Sequence, residues 1–143
     1  MATTTFSGPI KAGSIRQGAS ENLGFCLMAQ SAVIDIIGAT ATTAVGIIPA
    51  NSQIVDVILN VTTVNNDGGA ATVKIGHSGD DDEYLAAQSV KSLVTTRGTI
   101  GTDGTDIGSS DQTVNAVFTA ANGDGTTGAA TVTVLYIQNN NLS

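Results

Sequence analysis

Histidine and cysteine each occur once in the sequence, at His77 and Cys26, and together they could form a nucleophile and its general base. Cys26 lies in an apolar stretch, residues 25–28, where a free thiol is normally a small buried hydrophobic side chain. Neither residue has a sequence neighbour that would activate it. We therefore expect no catalytic role for either, and a single histidine with a single cysteine is a poor zinc ligand set.

The densest charge in the chain is the run Asp80, Asp81, Asp82 and Glu83. Four carboxylates could supply oxygen ligands for Ca²⁺, but consecutive side chains point in different directions and rarely close on one ion. The simpler interpretation is a helix over residues 81–89, because acidic residues suit a helix N-terminus and an Asp or Ser can cap it. Calcium binding by this run stays an open alternative.

Glycine-rich segments offer no better site. Residues 101–108 resemble one copy of a calcium-binding nonapeptide, but such sites need stacked repeats and this copy stands alone, so we expect an exposed loop. No glycine cluster continues into the Gly-Lys-Ser/Thr of a phosphate-binding loop. The sequence therefore predicts neither an enzyme nor a bound cofactor or metal.

Composition excludes further classes. The net charge is −7 with only five basic residues, so the chain lacks the Lys/Arg patch that nucleic acid requires. No apolar run approaches the length that spans a bilayer, and we expect no membrane partner. Only 12% of residues are charged and 3% aromatic, while Thr and Gly are abundant. This balance is typical of short β-strands joined by tight turns.

The elements that would position these side chains show period-two patterns rather than helical ones. Strands are expected within residues 25–37, 53–63, 71–75, 112–119 and 131–138. Residues 65–69 and 122–125 read as hairpin loops, since Asn, Asp and Gly tolerate positive φ. Six to eight antiparallel strands predict an all-β fold, a jelly-roll-like antiparallel β-sandwich.

The segment 53–63 carries two faces. Val55, Val57, Leu59 and Val61 alternate on one, and the other mixes Ile54 and Ile58 with polar residues. Ile54 and Ile58 would be half covered in a monomer, and exposed apolar patches of that kind mark interfaces. We take them as candidate interface residues of a homotrimer.

Residues 1–24 differ from the rest of the chain. Their apolar residues are widely spaced, and they contain Lys11, Arg16 and a single acid, so this segment carries +1 and the remainder −8. We interpret residues 1–24 as an extended N-terminal arm and residues 25–143 as the sandwich domain. The alternative is that the arm is itself a first strand of the sandwich.

Three stretches carry a resemblance to a known family: residues 5–13 (TFSGPIKAG), 48–57 (IPANSQIVDV) and 76–87, beginning GHSGD and ending YLAA. Together they resemble capsid decoration (cement) proteins of tailed bacteriophages, particularly cyanophages. The resemblance spans the arm and the first half of the chain and is weaker after residue 95. It implies a jelly-roll sandwich with an N-terminal arm, a virion protein that sits, often as a trimer, on the outer surface of the head.

In that setting the major capsid protein and further copies of this chain would be the partners, and contacts between subunits would stabilise the head. The arm would dock on the capsid through Phe6, Ile10, Lys11, Ile15 and Arg16. Two other classes remain open: a head-fibre or tail-associated β module that binds host surface glycans, and a secreted carbohydrate- or calcium-binding sandwich.

Overall fold

A computed structural model describes residues 27–100 and 107–138. These residues form eight strands: β1 (Leu27–Asp35), β2 (Ala41–Ile48), β3 (Ser52–Thr63), β4 (Ala71–Gly76), β5 (Leu85–Ser89), β6 (Thr95–Arg97), β7 (Gln112–Ala120) and β8 (Ala129–Gln138). The described part of the chain contains no helix, and hence none that could cross a membrane.

The strands form two four-stranded antiparallel sheets, with strand orders β1-β8-β3-β6 and β2-β7-β4-β5. Within the sheets, β1 pairs with β8, β2 with β7, β3 with β6 and β4 with β5. The first half of the eight-strand series thus pairs with the second half in reverse order, and the paired ribbon wraps around one core. This is the topology of a jelly roll, which confirms the predicted fold class.

The core lies between the sheets and follows from alternation along each strand. In β8 every second residue from Ala130 to Tyr136 is buried, and the residues between them are half exposed. The largest fully buried side chains are Tyr84, Phe118, Ile34, Ile36, Ile48, Ile54, Leu59 and Ile75. Side chains of this size remove the most apolar surface from water, which is the main driving force for closing the two sheets.

The β3 strand does not keep the predicted faces along its whole length. The pairing of β3 with β8 shifts between Ile54 and Asp56, so Val55 bulges outward and the strand changes phase. Ile54 is consequently 1% exposed and belongs to the core with Val57 and Leu59, while Val55 is 48% exposed. The assignment of Ile54 to the outer face was wrong, because strict alternation cannot anticipate a bulge.

Both predicted hairpins were also wrong. β3 and β4 lie in different sheets, as do β7 and β8, so residues 64–70 and 121–128 cross between the sheets. The predicted helix over residues 81–89 is instead a turn followed by β5. Tertiary pairing outweighs local helix propensity here: the Tyr84 N–H donates to Ile75 O, and β5 completes the edge of the second sheet.

The two ends of the sandwich hold different loops. One end collects residues 36–40, 64–70, 90–94 and 121–128, which connect β1 to β2, β3 to β4, β5 to β6 and β7 to β8. The opposite end holds the β2–β3 and β4–β5 connections, and β1 begins there. The polar side chains of the candidate site lie at these two ends and on the outer faces of the sheets.

Candidate functional site

Several residues named from the sequence lie outside the described residues. These are the five arm residues Phe6, Ile10, Lys11, Ile15 and Arg16, together with Cys26. Most of the 101–108 loop is also outside them; of this loop, Ile107 donates its N–H to Ser52 O. The docking arm and the thiol therefore stay predictions.

His77 lies in the β4–β5 loop and is occupied by local contacts. Its Nδ1 accepts a hydrogen bond from the Gly79 N–H at 3.0 Å, and its Nε2 lies 2.5 Å from Glu83 Oε2. An Nδ1 that accepts leaves the ring proton on Nε2, where it can be donated to the Glu83 carboxylate. Both ring nitrogens thus fix the loop, and neither contacts a nucleophile in the described part of the chain.

The acidic run forms the tip of the same loop. Oxygen atoms of Asp80, Asp81 and Asp82 all lie within 4.8 Å of one another, and all three residues are exposed. Lys74 on β4 places its Nζ 3.2 Å from Asp81 and 3.6 Å from Asp82. The hydrogen bond that Lys74 donates to Asp81 and the negative charge of Asp81, followed by the charge of Asp82, raise the pKa of Lys74. The cation already balances part of this negative charge.

The opposite end is built around Asp67, which is 2% exposed. Asp67 Oδ1 accepts from the N–H groups of Gly69 at 2.7 Å and Asn122 at 3.4 Å, and Oδ2 accepts from the Asp124 N–H at 3.1 Å. Burial acts to raise the pKa of Asp67, but the backbone N–H groups outweigh it and lower the pKa below 3.8. The carboxylate therefore joins the β3–β4 and β7–β8 loops.

Neighbouring amides extend this junction. The Asn66 Oδ1 accepts from the N–H groups of Thr126 at 2.7 Å and Thr127 at 3.0 Å. Asn65 is buried: its Nδ2 donates to Ile36 O at 2.7 Å, and its Oδ1 accepts from the Asp67 N–H at 2.8 Å. We call Asn65, Asn66, Asp67 and Asp124 with their loop partners the loop clasp. The Asn-Asn-Asp-Gly-Gly pattern indicated a turn, but its partners in the β7–β8 loop, 55 or more residues away, could not be predicted from the sequence.

The candidate trimer residues separate in the structure. Ile54 is in the core and presents nothing to a partner, whereas Ile58 is half buried on the outer face of the first sheet. Beside Ile58, the Asp56 carboxylate is paired with Arg97 of β6. The outer face at this point is therefore an apolar side chain next to a neutralised ion pair, and the trimer itself stays a prediction.

The Phe and Tyr side chains of the described residues are all internal. Phe118, Tyr84 and Tyr136 are 1–3% exposed, and they are the aromatic residues of the described ranges. Burial, followed by the charge of Glu83, raises the pKa of Tyr84 to about 12, and its OH donates to Gln112 Oε1 at 2.8 Å. Sugars are usually held against exposed aromatic rings, and residues 27–100 and 107–138 present none.

Comparison with known proteins places the fold. No protein-family model matches the chain, and no curated protein matches it. Among solved structures, a chain of the cyanophage Pam1 capsid aligns with a TM-score of 0.62 and 16% identity, covering 93% of this chain and 99% of that one. A chain of the acid-stable capsid of Helicobacter pylori bacteriophage KHP30 gives 0.62 and 16%, covering 80% and 89%.

A chain of the Ralstonia phage GP4 capsid gives a TM-score of 0.56 at 17% identity, covering 90% of this chain and 91% of the other. In all three matches nearly the whole of the other chain is covered, so those chains consist of little besides the shared fold. At such low identity the likeness is one of architecture, and it establishes a jelly roll of the kind found in these capsids.

Proposed function

We propose that this protein is a structural component of a bacteriophage virion, and specifically a decoration protein that binds the outer surface of the head. The observation that carries the proposal is the match, over 80–93% of this chain and 89–99% of the others, to chains in three phage capsid structures. Capsid chains made of little more than this sandwich suit an accessory subunit attached to a shell.

The described surface supports a structural role. In residues 27–100 and 107–138, the charged groups of these clusters have partners within their own cluster. His77 pairs with Glu83, Lys74 with the acidic run, and Asp67 accepts hydrogen bonds within the loop clasp. None of them combines a nucleophile with a free base. A stable sandwich with tied loops is suited to repeated contact with a lattice rather than to chemistry.

Charge distribution supports attachment through the N-terminal segment. Residues 1–24 carry +1 and the rest of the chain −8. Lys11 and Arg16 would pair with acidic groups on the major capsid protein, while Phe6, Ile10 and Ile15 would enter apolar grooves between its subunits. The acidic sandwich would then face outward, and copies would assemble as trimers in which Ile58 contributes to the contact.

The test is the copy number on purified virions. Quantitative mass spectrometry of particles, with the major capsid protein as internal standard, should give a stoichiometry of the same order as that of the shell subunit, and antibody labelling should mark the whole head. A copy number in the low tens, labelling confined to the tail or to isolated fibres, or absence from particles would contradict the proposal. Low copy number with binding on a glycan array would favour the host-glycan module instead.

A further inference from the structure

The four edge strands of the sandwich differ in how they are protected from pairing with another chain. β6 has three residues and ends in Arg97, and β5 has five residues with a register shift in its pairing to β4. β2 is interrupted by a register shift between Ala44 and Gly46, and Gln30 Nε2 caps its Ile47 carbonyl at 2.7 Å. Short strands, charges and bulges are the usual protections of sheet edges.

β1 has none of these protections. It runs for nine residues in unbroken register with β8, without proline, glycine or bulge, and its one charge is Asp35 at the last position. A long, regular and largely uncharged edge strand is a template for a further strand. Edge-strand addition is directed by backbone hydrogen bonds, so the occupant must be an extended segment of polypeptide.

The hydrogen bonding of β1 fixes which groups face the free edge. The Ile36 N–H donates to Gly128 O at 3.3 Å, and this pair continues the β1–β8 register. Hydrogen-bonded pairs alternate along an antiparallel ladder, so Ile34, Ala32, Gln30 and Met28 bond to β8. The N–H and C=O groups of the odd-numbered residues from Leu27 to Asp35 therefore point away from the sheet.

The same odd-numbered residues place their side chains on the outer face. Leu27 is 59% exposed and Val33 is 70% exposed, with exposed Ala29 and Ser31 between them. Val33 is thus an apolar side chain left in water at an edge whose backbone groups are unpaired within the described structure.

We propose that two copies of this chain join through β1, antiparallel and across a twofold axis at Gln30. In this register Leu27 of each copy lies opposite Val33 of the other, and Ala29 lies opposite Ser31. The twofold axis makes each pairing occur twice. All four resulting pairs are hydrogen-bonded pairs, because each joins residues whose backbone groups face outward on both strands. The first sheets of the two copies become one continuous eight-stranded sheet.

The sequence of β1 favours a second copy in this register because it is self-complementary there. The two most exposed apolar side chains of β1 meet each other, and the two Asp35 carboxylates lie at opposite ends of the contact. Shifting the axis to Ser31 would put Leu27 opposite Asp35 and Val33 opposite Ala29, so the two large apolar side chains would no longer meet. The twofold contact uses a different surface from Ile58, and it stands whether or not the protein is a decoration protein.

The first experiment measures mass against concentration by light scattering or sedimentation on the full chain. We expect a concentration-dependent doubling of mass, whether the associating unit is a single chain or a trimer, that Val33→Lys weakens about tenfold or more, since the symmetry introduces the lysine twice opposite an apolar side chain. Leu93→Lys is the matched control: it places the same charge on an apolar side chain that is 68% exposed, in the β5–β6 connection away from β1, and should leave this contact intact. A monomer at all concentrations, or a mass unaffected by Val33→Lys, would overturn the proposal.

The second experiment tests the register in a Cys26→Ser background. Ala29→Cys protein mixed with Ser31→Cys protein should form a disulfide-linked dimer on mild oxidation, since opposed Cα atoms in a hydrogen-bonded pair lie about 5.5 Å apart. Each variant alone should cross-link much less, because residue 29 does not face residue 29. Equal cross-linking in the separate and mixed samples would contradict the axis at Gln30.

Discussion

Asp67 is almost entirely buried, and the dipoles of backbone N–H groups stabilise its ionised form. Because N–H groups hold its pKa below the 3.8 of a free aspartate, the ionised form stabilises the fold above that value. This contribution is lost as the pH falls through the lower pKa of the folded protein. We expect the melting temperature, followed by calorimetry, to drop below about pH 4.

Asp67→Asn should isolate this effect. An amide lacks the charge and aims an N–H₂ group at backbone donors, so the variant should melt lower than the native protein at pH 7 and lose less between pH 7 and acid. Asp35→Asn, at an exposed position at the end of β1, is the control and should change neither value. An unaltered acid profile in Asp67→Asn would show that the carboxylate does not govern it.

Two glycines test how tightly the strands approach each other. A Cβ at Gly98 would lie 2.1 Å from the Tyr84 carbonyl oxygen, a backbone atom that cannot move alone. At Gly46 the Cβ would meet Gln30 Oε1 at 1.9 Å, which a side-chain rotation relieves. We therefore expect Gly98→Ala to lower the free energy of unfolding by about 1–3 kcal/mol. Gly46→Ala should cost about 1 kcal/mol through the lost Gln30 hydrogen bonds. Urea denaturation measures both losses. A larger loss of unfolding free energy for Gly46→Ala than for Gly98→Ala would mean that the overlap at Gly98 relaxes freely.

At the scale of elements, the loop clasp determines how the two inter-sheet connections are held. Asn65 is buried and bridges Ile36 O to the Asp67 N–H, whereas Asn66 is exposed and bonds to residues 126 and 127. Asn65→Ala leaves buried groups unpaired and should cost about 1–3 kcal/mol in the free energy of unfolding. Asn66→Ala exposes its partners to water and should cost about 1 kcal/mol or less. Equal losses in denaturant unfolding would mean that burial does not separate the two amides.

The strands that sequence periodicity located are those with alternating buried residues: β1, β3, β4, β7 and β8. Sequence periodicity did not locate β2, β5 and β6, because their local sequences carry other signals. Residues 81–89 begin with three acids and continue with Leu85 and two alanines, which favour a helix, and only pairing with β4 makes them extended. Local propensity cannot register a partner strand that lies elsewhere in the chain.

Local sequence patterns also could not predict which strands pair with each other. Asn65–Gly69 was correctly identified as a turn, but whether a turn returns to its own sheet or crosses to the other depends on which strand is already beside it. The bulge at Val55 moved Ile54 into the core for a similar reason: β8 sets the register of β3. The contacts of His77 are with Gly79 and Glu83 of the same loop, whereas those of the loop clasp join residues that are distant in sequence.

At the scale of the whole molecule, the described strands enclose a core of their own, and we predict that the N-terminal segment is not needed to complete it. The buried apolar cluster runs from Ile34 to Tyr136 and is supplied by both sheets. The apolar residues of 1–24 are few and widely separated, so they could bury little surface against the chain's own body. Attachment to a particle and stability of the sandwich should therefore be separable properties.

Deletion of residues 2–20 tests this separation on the proposed decoration function. The truncated protein should keep nearly the native melting temperature, because the core cluster is intact, but should fail to bind particles of the parent phage that lack the protein. The double variant Lys11→Glu/Arg16→Glu keeps the length of the segment and should weaken binding in a salt-dependent way if the two cations face acidic capsid groups. Binding is measured by co-sedimentation with particles.

A truncated protein that unfolds would assign residues 2–20 to the sandwich as its first strand. One that still binds at full occupancy would place the capsid contact on the sandwich itself.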